Sequence, residues 1–169
     1  MRPPLAKDPI AEIQSNWRRK GWESAAAPAA AVTAIMRTQQ ILLGRAQEIL
    51  QPYRLTFARY EVISLLSHSR EKRMLMNKAS ALLQVHPTSI TNAVDRLQDA
   101  GLVQRQPHES DRRAMLLVLT AKGRKTAEQA TAALNEQLFE RTGFTPGQVE
   151  DLNRILADFR RVSGDFLGP

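Results

Sequence analysis

Thr88, Ser89, Thr91 and Asn92 gather four short hydrogen-bonding side chains in one stretch, and Arg96 follows one helical turn beyond Asn92. Hydroxyls and a carboxamide are groups that read base edges, Asn bonding adenine through two atoms at once, and an Arg adds a phosphate contact. Two blander readings compete. A Ser or Thr near a helix start, Ser89 for example, can simply cap it, and Arg96 can pair with Asp95 or Asp99 on its own helix. A second cluster, Asp111-Arg112-Arg113, lies in a polar run over 107–113. An Arg on such a loop suits a narrow, negative minor groove; the alternative is a solvated turn whose ion pair contributes under ~1 kcal/mol. Arg54, Arg70, Lys72, Arg73 and Lys78 supply further cations for a phosphate backbone.

These residues need elements to hold them. Ile90, Val94 and Leu97 recur at i, i+4 and i+7, so 87–100 reads as a helix with one apolar stripe. Pro87 suits its first turn and Gly101 its end. Residues 102–106 read as a strand, 107–113 as a polar turn and 114–119 as a second, more apolar strand. Helix, strand, polar loop, strand is the order of a winged helix, with 107–113 as the wing. Upstream, 77–83 reads as a short helix with Ala79, Leu82 and Leu83 as its apolar face, joined to 87–100 by a tight turn. That completes a helix-turn-helix. Thr56 caps the helix before it, with Phe57, Tyr60, Ile63 and Leu66 inward, and 67–73 is a polar connector.

The flanks are helical. Asp8-Pro9 opens a short helix to about residue 20, ended by Gly21. Residues 24–31 are Ala-rich around Pro28 and read as a linker or as the frayed start of the next helix. From Val32 a long apolar pattern runs to Pro52. Thr120 caps another long helix to about 141, and Thr145-Pro146-Gly147-Gln148 opens a last one with a capping box. The expected organisation is an N-terminal extension (1–31), a dimerisation helix (32–52), a winged helix-turn-helix (53–119) and C-terminal dimerisation helices (120–169). The fold class is mainly α with a small β-wing.

Composition narrows the function. The chain has 169 residues, 43% of them hydrophobic and 24% charged, an ordinary globular balance. No run approaches the roughly 18 apolar residues of a membrane span, and no secretory signal opens the chain, so a cytoplasmic location is expected. There is no cysteine, which removes disulfides, thiol redox sensing and thiolate metal sites. His68, His86 and His108 lack ligand spacing, so no metal or other cofactor is expected. The net charge of +7 favours a polyanionic partner. That charge sits upstream: residues 1–60 hold nine Lys/Arg against four Asp/Glu, whereas 84–119 hold four of each. No nucleophile elbow, zinc-binding helix or phosphate-binding loop is present, so an enzyme is not expected. A winged helix that binds only protein remains an alternative, opposed by the polar face of 87–100 and the wing arginines.

Leu97-Gln98-Asp99-Ala100-Gly101-Leu102-Val103, then Asp111-Arg112-Arg113, then Leu119-Thr120-Ala121-Lys122-Gly123 resemble, in order and spacing, the MarR family of bacterial transcriptional regulators, over roughly 32–165. The resemblance implies an intertwined homodimer reading an inverted repeat in double-stranded DNA. In such proteins the Asp of the wing motif, here Asp111, holds the second Arg, here Arg113, for the minor groove. The resemblance also implies a repressor released by a small aromatic or anionic effector. Trp17, Trp22, Arg37, Arg59 and Tyr60 are the candidate lining, each with a structural or solvated role as the alternative. Some urate-responsive relatives carry an extra N-terminal helix with a Trp. Trp17 fits that pattern, but Glu61 and Ala93 stand where an Asp and an Arg are expected, so urate is not predicted.

Replacing Arg113 by Ala is expected to weaken DNA binding strongly while dimer and melting temperature stay nearly unchanged. Undiminished affinity in a gel shift would remove the wing from the reading surface.

Overall fold

The computed structural model describes residues 3–108, 111 and 114–168. The expected wing contacts Arg112 and Arg113 lie outside the described residues. Among the described residues seven α-helices and three short strands follow one another. They are α1 (Pro9–Arg19), α2 (Glu23–Leu50), α3 (Phe57–His68), β1 (Arg73–Leu75), α4 (Met76–Leu82), α5 (Pro87–Asp99), β2 (Val103–Pro107), β3 (Met115–Leu119), α6 (Ala121–Leu134) and α7 (Pro146–Val162). A 3-10 turn, Gln51–Tyr53, follows α2, and a π-helical segment, Asn135–Phe139, extends α6.

The caps follow the sequence. Asp8 Oδ1 accepts from the Ile10 amide at 2.9 Å, Thr120 Oγ1 from the Gly123 amide at 2.9 Å, and Thr145 and Gln148 close a reciprocal capping box. Each bond satisfies an amide that the helix itself cannot. Residues 24–31 are regular helix, so α2 begins nine residues before Val32. Alanine has the highest helix propensity, and Pro28, only two turns in, removes one bond near an end.

A strand begins at the last residue of the polar connector after α3. β1 pairs antiparallel with β3, and β3 with β2, giving the order β1-β3-β2. Three residues are too few for a period-2 pattern to show in a sequence. The first helix of the helix-turn-helix buries Ala79 and packs Leu83 on the core, but Leu82 stands 57% exposed.

One core joins α2, α3, α5, the sheet and α6. Leu50, Ile63, Leu66, Val94, Leu117 and Leu134 are among its most deeply buried members. Tyr60 is buried too, its hydroxyl 3.1 Å from Thr131 Oγ1 on α6. Where the hairpin meets α6 the backbones nearly touch. A Cβ added to Gly123 would stand 2.0 Å from the Leu102 carbonyl oxygen and 2.8 Å from Leu119 Cδ1. Gly101, just past α5, has φ +69°, a conformation costly to any residue bearing a Cβ. No helix among the described residues is long and apolar enough to cross a membrane.

The outer helices are poorly covered. α7 buries none of its residues, and Ile155, Phe159 and Val162 are exposed. On α2, Val32, Ile35, Met36 and Ile41 are each at least half exposed.

Two stability tests follow from the packing. Gly123→Ala must move backbone, so a loss of about 1–3 kcal/mol is expected, read as a melting temperature lower by several degrees. Half-burial of Glu61 on α3 raises its carboxyl pKa above the ordinary value by desolvation. The ionised form therefore opposes folding at neutral pH, and that cost is relieved as pH falls through the raised pKa. Glu61→Gln is expected to raise the melting temperature at pH 7. The gain should vanish in acid once Glu61 is protonated in both states; a gain independent of pH would mean that charge is not the cause.

Candidate nucleic-acid interface

α5 is held on every side but one. Its stripe, Ile90, Val94 and Leu97, is at most 2% exposed. At its N-terminus the Thr88 amide donates to His86 Nδ1 at 3.2 Å, so His86 is the cap and neither Thr88 nor Ser89 is needed for it. The preceding turn is fixed by Ser80 Oγ donating to the Val85 carbonyl at 2.8 Å. At the C-terminal end Lys122 Nζ donates to the Ala100 carbonyl at 2.8 Å and Thr120 Oγ1 to the Gly101 carbonyl at 2.9 Å. The first residues of α6 thus occupy carbonyls that the end of α5 leaves without amide partners.

The remaining face is polar and open. Thr88, Ser89, Asn92 and Arg96 are exposed, and their side chains make no hydrogen bond or ion pair among the described residues. Thr91 differs: it is half-buried and its hydroxyl donates to the Pro87 carbonyl at 2.8 Å. Arg96 pairs with neither Asp95 nor Asp99, and Asp95 is engaged instead by a residue not singled out from the sequence. Arg105 on β2 sets Nη2 at 2.6 Å from Asp95 Oδ1. It also reaches the Thr91 carbonyl at 3.3 Å and Gln98 Oε1 at 3.4 Å. Alternation along β2 was the available signal: Val103 is buried, so Arg105, two residues on, shares its inward face.

The remaining candidates fall in separate places. Asp111 lies in the loop between β2 and β3. Arg73 sits opposite Val118, at the base of the hairpin rather than near its loop, and is paired with Glu71 at 2.6 Å. Lys72 bonds the Ser67 carbonyl. Arg70 is exposed in the same connection, Lys78 is exposed on α4, and Arg54 ends the 3-10 turn with φ 55°. Lys78 is the cation of this set carried on the helix-turn-helix itself. An open cleft of about 640 Å³, lined by Met76, Val85, Pro87, Ile90 and Met115 among others, separates α4 and the start of α5 from β3.

The effector candidates are dispersed. Trp17 and Trp22 meet edge to face at 5.2 Å where α1 turns into α2, with Lys20 Nζ 5.7 Å from the Trp22 ring centre. Arg37 is exposed on α2. Arg59 Nε donates to Thr56 Oγ1 at 3.1 Å, and Tyr60 is committed to the α3–α6 contact. The residues fall into a Trp pair on one side and the Tyr60 core contact on the other. Among the described residues no group of three His, Asp or Glu could hold a metal ion.

Comparison with known proteins identifies this arrangement. The sequence model of the MarR family matches residues 55–114, which run from before α3 to the start of β3. The MarR family transcriptional regulator Sco5413 of Streptomyces coelicolor superposes with a TM-score of 0.77 at 40% identity, over 84% of this chain and 99% of that one. Sco3205 from the same organism, solved in complex with DNA, shares the fold over 99% of this chain and 93% of its own, with a TM-score of 0.67 at 22% identity. The transcriptional regulator PapX of Escherichia coli is 28% identical over 105 residues, 62% of this chain and 64% of its own length. These relatives are regulators rather than enzymes, and the likeness runs through the helix-turn-helix and wing strands into the flanking helices: the chain belongs to the MarR family of transcriptional regulators.

Proposed function

We propose that the chain acts as a homodimer on double-stranded DNA, in the cytoplasm, reading an inverted-repeat operator. The observation that carries this is the open polar face at the start of α5, on a helix anchored everywhere else. Thr88, Ser89, Thr91, Asn92 and Arg96 would face the major groove, with Thr91 more restricted than the rest. The wing, 107–113, would enter the minor groove through Arg113, steadied by Asp111, with Arg112 beside it or on a neighbouring phosphate. Backbone phosphates would meet Lys78 first, with Arg54, Arg70, Lys72 and Arg73 as outlying contacts.

The uncovered apolar residues of α2 and α7 support a second copy as partner. Exposed Ile, Phe and Val at helical spacing are unfavourable in water, and a twofold-related chain presents the same surfaces in return. The chain then divides into an N-terminal extension (1–31), dimerisation helices (32–52 and 120–169) and a reading domain (53–119), with α2 continuous across the first boundary. Two reading helices would meet half-sites about 10 bp apart.

A repressor released by a small aromatic or anionic molecule is the regulatory part of the proposal. Trp17 and Trp22 are the two tryptophans of the chain. Their pairing beside Lys20 offers ring faces and a cation to such a ligand, with Arg37, Arg59 and Tyr60 as the remaining candidates. An aromatic carboxylate bound there would change tryptophan fluorescence; unchanged fluorescence across a panel of such acids would move the effector elsewhere.

The test of DNA reading is binding of the purified protein to the promoter beside its own gene at two salt concentrations, followed by footprinting. A protected inverted repeat whose affinity falls steeply with salt is expected. Asn92→Ala should relax preference at particular base pairs, by about 1–3 kcal/mol for a bidentate contact. A folded dimer that binds no DNA from a random-sequence selection would overturn the proposal.

A further inference from the structure

Arg105, on the first strand of the wing hairpin, is a charged residue that joins β2 to α5. Its Cα partner across the hairpin is Leu117, which is fully buried, and the alternation of β2 turns Arg105 inward. A strand packed on a helix ordinarily carries an apolar side chain at such a position. Here the guanidinium meets Thr91, Asp95 and Gln98, at i, i+4 and i+7 along one stripe of α5. The Asp95 contact, at 2.6 Å, is short and charge-assisted, and the Arg105 side chain is only 22% exposed, so solvent screens this pair less than a surface one.

The stripe that Arg105 grips lies beside the open face. Thr91 is the residue before Asn92, and Asp95 the residue before Arg96. Fixing the turns from 91 to 98 against β2 therefore sets the rotation of α5 about its own axis, which decides where Asn92 and Arg96 point. Asp95 is also a carboxylate, half exposed on the helix meant for DNA. Left alone it would repel phosphates; beside Arg105 its charge is neutralised locally.

We propose that Arg105 is a positioning residue for DNA recognition, acting through Asp95 and the Thr91 carbonyl rather than by touching phosphate. The inference rests on the DNA-reading proposal for its consequence, but the clamp itself exists in the free protein. Two kinds of readout therefore separate the two ideas.

The experiment compares the wild-type dimer with Arg105→Ala, Arg105→Lys, Asp95→Ala and the Asp95→Ala/Arg105→Ala double variant. Hydrogen exchange without DNA is read first. In Arg105→Ala the amides of 91–98 should exchange roughly tenfold faster, while those of α3 and α6 stay as in wild type. Unchanged exchange in α5 would overturn the clamp whether or not the protein binds DNA. Operator binding is read second. Arg105→Ala should weaken it by roughly tenfold or more, and Lys should rescue little, because a single ammonium cannot reproduce the fork. The slope of affinity against salt should stay unchanged. In the Asp95→Ala background, removing Arg105 should add little. A slope smaller by about 0.9, with recovery in Arg105→Lys, would make Arg105 a phosphate contact and overturn the inference. Wild-type protein that binds no operator, with α5 exchange still sensitive to Arg105, would sink the DNA-reading proposal and leave the clamp standing.

Discussion

Burial of Ile90, Val94 and Leu97 against α3 and the hairpin is the constraint on which the interface depends. Each side chain taken from water contributes about 1.5–3 kcal/mol, and together they leave α5 one way to lie on the core. Once that stripe is inward, Thr88, Ser89, Asn92 and Arg96 face out. The rest of the site keeps this arrangement from slipping. His86 and Ser80 fix the start, Thr120 and Lys122 fix the end, and Arg105 ties the middle to β2. Anchored in this way, α5 holds a few polar groups in place, which the DNA reading proposed for it requires.

The same core couples α5 to the helices outside it. Gly123 lets α6 start against the Leu102 carbonyl with no side chain between them. α6 continues to Thr131, which meets the Tyr60 hydroxyl on α3, and onward into the π-helical segment, where Leu138 is buried. A change in how α2 packs therefore has a contiguous path of buried contacts, through α3 and α6, to α5. That path is a physical link of the kind a regulator needs, carried by packing that resists small deformations.

Electrostatics takes a subsidiary and uneven part. The excess charge lies mostly before residue 61, whereas the recognition unit is internally balanced. One of its arginines, Arg105, is spent on Asp95 within the fold. Arg73 and Lys72 are likewise engaged locally. Net charge would draw the protein toward a polyanion, but the order in which residues meet it is set by geometry.

The amino-acid sequence by itself determined the elements with a strong period or a defined cap. The α5 stripe, the capping box at Thr145, the Asp8 and Thr120 caps and the two-strand wing all follow from patterns repeated over enough residues to stand above chance. Shorter or ambiguous signals waited for the tertiary structure. Three residues of β1 carry no period, and the Ala-rich start of α2 is equally compatible with helix and linker until α1 packs against it. Leu82 looks inward on its own short helix, yet α4 buries Ala79 instead. The pairing of Arg105 with Asp95 spans two elements, so only their docking brings it about. Local free energy selects helix, strand and cap within a few residues. The partners of Arg105, Tyr60 and Gly123 depend on contacts between segments far apart in the chain, which no local pattern encodes.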